Sequence, residues 1–131
     1  MLEMKETAFI CQNATPRSLI LIDELGRATS NGDGVALAWA VCEKLLKCNA
    51  RTFFVTHYPQ VTSLRNLYPS VVQNQHMEAT VGNNEHGEII YHHKVGNGPC
   101  NVTTSYGVEL AHACGWPEEV LNEVSAQPRN W

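Results

Sequence analysis

Two adjacent carboxylates, Asp23 and Glu24, stand at the end of an uninterrupted aliphatic run, residues 19–22. A short apolar run of this kind is typical of a strand buried on both faces of a parallel sheet. Ligands of open α/β sheets bind at the carboxyl edge, where such a strand would place the two acids. An aspartate there can hold Mg²⁺ against nucleotide phosphates, and a neighbouring glutamate can polarise an attacking water. The pattern indicates a Walker B strand, although a structural strand ending in two solvated acids has the same composition.

A second apolar segment, residues 51–56, reads Arg-Thr-Phe-Phe-Val-Thr and ends at His57. Its β-branched and aromatic residues predict a strand. Between the two strands, residues 33–47 carry apolar side chains at helical spacing. Because a strand–helix–strand unit joins parallel strands, the two acids should come out at the same sheet edge as Thr56 and His57. A histidine there can donate a hydrogen bond to a phosphate oxygen.

The composition limits the kind of protein. The chain has 131 residues, 44% of them hydrophobic, which suffices for a core in one domain of ordinary size. No apolar run approaches the ~18 residues of a membrane span, and the N-terminus lacks a secretory core. The net charge is −4 with nine basic residues scattered singly, so these residues are not expected to grip duplex DNA directly. Five cysteines without a Cys-x-x-Cys pair predict free thiols in an intracellular protein.

Taken together, the motifs resemble the C-terminal ATPase domain of the MutS family of DNA mismatch-repair proteins, a branch of the ABC-type ATPases. The combination of Asp-Glu-x-Gly-Arg-x-Thr-Ser with a later Thr-His and Ser-Tyr-Gly is specific. Residues 40–43 and 67–69 are similar to the meiotic members that act in crossing over. The resemblance extends from residue 1 to about residue 124, and the matching segments are residues 1–8, 19–30, 33–34, 54–58 and 105–107.

The resemblance implies a fold. It is a partial P-loop NTPase of the ABC type, an α/β fold in which residues 1–131 form the C-terminal part of a MutS-type ATPase domain. The parallel βαβ core is expected in residues 1–69, an antiparallel hairpin in residues 70–95 with its turn at residues 82–87, and C-terminal helices in residues 105–126.

The resemblance also implies roles for individual residues. Asp23 and Glu24 match the magnesium-binding and water-activating acids, and His57 matches the switch histidine that senses the γ-phosphate. The loop at residues 26–34 matches the segment that crosses the dimer interface beside the partner's nucleotide. A plainer alternative for this loop is that Asn31 or Asp33 caps the following helix. The candidate catalytic residues are Glu24 and His57, and the candidate cofactor-binding residues are Asp23 (also the Mg²⁺ ligand, through water), Thr56, Ser30 and Asp33.

In complete proteins of this family, the resemblance implies that ATP and Mg²⁺ at a dimer interface drive a DNA clamp in mismatch repair or meiotic recombination. The implied partner is another MutS-type subunit, in a homodimer or heterodimer. Mismatched or branched DNA would be bound through domains outside these residues, and no membrane is involved. The expected location is the nucleus in a eukaryote and the cytoplasm otherwise.

The chain departs from the family pattern in its phosphate-binding motif. No Gly-x-x-x-x-Gly-Lys-[Ser/Thr] loop occurs in the 131 residues, and the serine-containing ABC signature is missing as well. Ala28 stands where the family usually has glycine, and Asn31-Gly32 replaces a Thr-Tyr-like pair. We therefore expect part of an ATPase domain, inactive by itself. The alternative is a truncated, non-catalytic module that docks on a MutS-type partner through residues 106–124.

Overall fold

The structure, a computed structural model, describes residues 2–81, 89–100 and 106–126. The chain divides into two compact units, Met1–Val72 and Gln73–Trp131, which are described separately below. The helices and strands in chain order are α1 (Leu2–Asn13), β1 (Leu19–Asp23), α2 (Asn31–Lys47), β2 (Arg51–Val55), a 3₁₀ helix (Pro59–Ser63), α3 (Leu64–Leu67), β3 (Gln75–Val81), β4 (Ile89–Asn97), α4 (Tyr106–Ala113) and α5 (Glu118–Ala126).

The first unit is built on the predicted strand–helix–strand arrangement. β1 and β2 pair in parallel, with Leu19 opposite Arg51 and Asp23 opposite Val55, and α2 connects them. The predicted βαβ core is therefore confirmed, with α2 starting two residues earlier than expected. Because the strands are parallel and in this register, both end at the same edge of the sheet.

Two adjoining apolar clusters fill the first unit. One lies under the sheet, where Ile20 and Ile22 of β1 pack with Leu45 of α2. The other lies between α2 and the segment after β2, where Ala38 packs against Tyr58. The helix reaches both clusters because residues 38, 41, 42 and 45 recur at helical spacing on one face. Further members of the two clusters are Ile10, Val41, Leu25, Phe54, Val61, Leu64, Trp39 and Cys42.

The expectation that β1 is buried on both faces is wrong for the described chain. Its side chains alternate, so that Ile20 and Ile22 are buried whereas Leu19 and Leu21 are 64% and 70% exposed. Phe53, the cross-strand neighbour of Leu21, is exposed as well. The apolar clusters on which α1 and α2 pack lie on the Ile20 and Ile22 side. Because successive strand residues point to opposite faces, the other apolar face is left uncovered by the described residues.

The second unit contains an antiparallel hairpin and a helix pair. β3 pairs with β4 from Gln75 opposite Asn97 to Val81 opposite Ile89, while the predicted turn at residues 82–87 lies outside the described residues. α4 is followed by Gly115, whose φ of +74° suits glycine after a helix. α5 buries Leu121. Ser105, at the start of the predicted helical segment, and residues 127–131 lie outside the described residues.

No helix in residues 2–81, 89–100 and 106–126 is both long and apolar enough to cross a membrane. All five cysteines are free thiols, as predicted: Cys11, Cys42, Cys48, Cys100 and Cys114.

Alkylation of the cysteines tests the packing of α2. Burial raises the pKa of the Cys42 thiol to about 12, and the thiolate is the reactive form. In the folded chain at about pH 8, we expect iodoacetamide to modify exposed Cys114 well before Cys42. Peptide mass mapping over time measures both rates, and Cys42→Ser identifies the Cys42 peptide. Equal rates for the two thiols in the folded chain would contradict this packing.

Candidate functional site

The end of the parallel sheet brings the predicted site residues together. The strand pairing continues one residue beyond β1, because the Glu24 amide donates to the Val55 carbonyl oxygen at 2.9 Å. Thr56 and His57 follow Val55 directly. Asp23, Glu24, Thr56 and His57 therefore share one sheet edge. The side chains of Asp23 and His57 are exposed, whereas those of Glu24 and Thr56 are half-buried.

The two acids border an open cleft. Its lining consists of Glu3, Asp23, Glu24, Arg27 and Ala28. Three carboxylates and one guanidinium give this cleft an excess of negative charge, which favours a cation. Thr56 and His57 do not line it, so the structure places them at the same edge but outside the cleft.

Glu24 has a backbone conformation that is rare for a non-glycine residue. Its φ is +49°, in the left-handed region, which costs roughly 1–2 kcal/mol for a residue with a Cβ. The conformation turns the chain sharply at the end of β1. The Glu24 carboxylate pairs with the Arg27 guanidinium at 2.6 Å. Because Arg27 is largely exposed, this ion pair adds little stability, and it leaves Glu24 available to other partners.

The backbone of Gly26 is fixed by two side chains. Its N–H donates to Glu3 Oε1 at 2.8 Å, and its carbonyl oxygen accepts from the Tyr58 hydroxyl at 2.9 Å. Its φ is +88°, and a Cβ there would lie 2.8 Å from the Gly34 Cα. Gly26 therefore needs to be glycine for both its conformation and its close approach to α2.

Ser30 and Asp33 join in the cap of α2. The Ser30 hydroxyl accepts from the Asp33 amide at 3.3 Å and donates to Asp33 Oδ2 at 2.7 Å. Ser30 is thus the cap, because a capping side chain reaches the amide three residues ahead. The expectation that Asn31 or Asp33 caps the helix is wrong, since both residues already belong to α2. Thr56 likewise serves local structure, since its Oγ1 accepts from the Tyr58 amide at 3.0 Å. Nucleotide contacts by Ser30, Asp33 and Thr56 stay predictions.

The donor set suits Mg²⁺ better than a metal held by protein ligands alone. Among the described residues, no group of three or more His, Cys, Asp and Glu side chains could hold a metal ion. Mg²⁺ needs fewer protein ligands, because it keeps several waters and binds through one or two carboxylates together with substrate phosphates. The exposed carboxylate of Asp23 in an open cleft fits a contact through water.

Three residues at this site were not predicted from the sequence. Arg27 lies inside the motif after Glu24, but nothing in its position signals an ion pair. Glu3 and Tyr58 contact Gly26 across 23 and 32 residues of chain. For the contact between Tyr58 and Gly26, the sequence offered one signal, a tyrosine directly after the candidate histidine.

A comparison with protein families finds a match over nearly the whole chain. The family model described as MutS domain V matches residues 1–130. The match covers all the residues of the sheet edge and of the cleft, and it is the family that the motifs resemble.

Alanine substitutions at two glycines of α2 test the packing beside the site. In Gly34→Ala the new methyl would overlap the Tyr58 hydroxyl and approach the Gly26 carbonyl oxygen. Because Tyr58 is buried, we expect a loss of roughly 1–3 kcal/mol in the free energy of unfolding. Gly32→Ala, in the same helical turn, meets nothing within 4 Å and should not lower the free energy of unfolding, because alanine has the higher helix propensity. Urea unfolding measures both, and equal effects would be inconsistent with the close approach of Tyr58 to α2.

Proposed function

The chain belongs to the MutS family, and from this premise we propose that it forms the Mg²⁺-dependent, ATP-hydrolysing half of a domain V of the ABC ATPase type. MutS proteins bind ATP and act as dimers on DNA in mismatch repair. The observation that carries the proposal is the parallel register of β1 and β2. It sets Asp23 and Glu24 at the same sheet edge as His57, which is where a nucleotide binds in such sheets.

Each residue has a distinct proposed role. Asp23 would hold Mg²⁺ through water, and the ion would supply positive charge to offset the charge of the phosphates. Glu24, next along the chain, orients the attacking water and accepts its proton. His57 donates a hydrogen bond to an oxygen of the γ-phosphate. Because hydrolysis of this kind depends on positioning and charge, the fixed backbone around Glu24 supports the assignment.

The loop after the acids is proposed to lie at the subunit interface. Its residues 27–33 are exposed, and Ser30 and Asp33 hold it against the start of α2. Its proposed neighbour is the nucleotide of a second MutS-type subunit, identical or different. Coupling of hydrolysis to a clamp on mismatched or branched DNA, in repair or in meiotic recombination, would then use DNA-binding domains elsewhere. In a eukaryote, the proposed site of this role is the nucleus.

A second candidate function is docking without catalysis. The observation in its favour is an apolar cleft between α4 and α5, beside which the side chains of Leu110 and Trp116 are exposed. The proposed occupant is a MutS-type partner subunit. The cleft is lined by Gly107, Val108, Ala111, Trp116, Leu121 and Val124.

The 131-residue chain alone should hydrolyse no ATP at a measurable rate. Nucleotide affinity in P-loop enzymes comes largely from the backbone cradle and lysine of the phosphate loop, and no such loop occurs in these residues. Phosphate release from Mg²⁺–ATP, measured with the purified chain, checks this expectation. Turnover that disappears in Glu24→Gln would show that the chain needs no phosphate loop.

A chimera tests the proposed roles directly. Residues 1–126 replace the matching segment in a MutS-family ATPase that supplies its own phosphate loop. We expect Glu24→Gln to lower kcat by about 10²-fold or more with little change in KM for ATP, because only proton acceptance is lost. Asp23→Asn should raise the Mg²⁺ concentration needed for half-maximal rate.

The matched control for the chimera is Glu6→Gln, an exposed acid on α1 that does not line the cleft, which should leave kcat unchanged. A folded chimera whose turnover is insensitive to Glu24→Gln would contradict the catalytic proposal and would favour the docking function.

A further inference from the structure

We propose that Glu3 and Tyr58 are positioning residues, which hold the backbone of Gly26 and thereby keep Glu24 in its left-handed conformation. The inference rests on the proposed function, since it concerns how Glu24 is aimed for hydrolysis. Neither residue is assigned to touch nucleotide or water. Both act through the loop that follows the acids.

Glu24 needs support from both sides to keep its conformation. A non-glycine residue at φ +49° persists only where the surrounding structure over-determines it. On the N-terminal side, the Glu24 amide is bound to the Val55 carbonyl oxygen. On the C-terminal side, Leu25 is 2% exposed in the core, and Gly26 is held by its two hydrogen bonds. Relaxation of Glu24 to negative φ would have to move Gly26.

The two bonds to Gly26 restrain it in a complementary way. Glu3 accepts from its N–H, and Tyr58 donates to its carbonyl oxygen. One bond precedes the Gly26 Cα and the other follows it, so rotation of either neighbouring peptide plane breaks one of them. The carbonyl also accepts from the Thr29 amide at 3.2 Å. Without the side chains of Glu3 and Tyr58, only this longer turn bond, among the hydrogen bonds of the described residues, would hold Gly26.

The two positioning residues come from different elements. Glu3 belongs to the first turn of α1, and Tyr58 follows β2 and is 3% exposed. The ring of Tyr58 packs against the ring of His57, with centroids 4.1 Å apart. A displacement of His57 would therefore change the ring contact of the residue that holds the Gly26 carbonyl oxygen. This contact links the end of β2 to the loop after β1.

The test uses four variants of the 131-residue chain. Tyr58→Phe removes the hydroxyl and keeps the ring against His57. Glu3→Ala removes the acceptor, whereas Glu3→Gln keeps a neutral oxygen acceptor and should rescue the bond. The double variant Glu3→Ala/Tyr58→Phe lacks both bonds. Matched controls are Glu6→Ala, an exposed acid on the same helix, and Tyr91→Phe, an exposed tyrosine on β4.

Two NMR observables report on the loop. Amide hydrogen exchange of Gly26 should speed up about tenfold in Glu3→Ala and return toward the parent rate in Glu3→Gln. The intraresidue HN–Hα NOE of Glu24 is strong at positive φ, where the two protons are close. We expect it to weaken in the double variant and, to a smaller extent, in Tyr58→Phe, while both controls match the parent chain.

A merely structural role would lower the melting temperature and leave the Glu24 NOE unchanged in the folded state. That outcome, in the double variant or in both single variants if the double one unfolds, would overturn the inference. In the chimera, Tyr58→Phe and Glu3→Ala should lower kcat about tenfold or more at unchanged KM for ATP, with rescue by Glu3→Gln. An unchanged Glu24 NOE would overturn the positioning role alone. A chimera whose turnover is insensitive to Glu24→Gln would overturn the proposed function and leave the NMR result valid.

Discussion

The parallel ladder between β1 and β2 is the interaction on which the site depends. It places the ends of two strands that are 32 residues apart in sequence, at Asp23 and Val55, side by side. A slip of one residue would exchange the faces of the sheet and turn Ile20 and Ile22 away from α2. The core under the sheet therefore fixes the register, and the register fixes the edge at which the acids stand.

The loop after β1 shows how a functional site draws on structure that is distant along the chain. Its turn is tight because Gly26 approaches Gly34 and because Glu24 accepts an unfavourable φ. Such a strained conformation persists only when the surrounding contacts stabilise the fold by more than the strain costs. Here those contacts come from α1, from the core and from the segment after β2. Removal of the strain would relax the chain but would also release the carboxylate from its place beside the sheet.

Local patterns in the sequence predicted the βαβ unit and the sheet edge, because helical and strand periodicities are visible over a few residues. The family was predicted from the resemblance of the motifs. Contacts without periodicity were not predictable. Glu3 meets Gly26 across 23 residues, and nothing in either segment marks the pair. The glycines of the loop were recognised as turn residues, but the near contact of Gly26 with Gly34 depends on how α2 packs. The lack of polar–apolar alternation in residues 19–22 also hid the one-sided burial of β1, since all four aliphatic residues suit either face.

The face of the two-stranded sheet that the described residues leave uncovered has a consequence for the stability of the chain in a cell. Leu19, Leu21, Phe53 and Val55 lie on this face, and each of their side chains is more than half exposed. Chaperones and quality-control proteases recognise exposed apolar surface of this kind. We therefore expect the chain to turn over faster while this face is uncovered, and a segment or partner that covers the face to stabilise it.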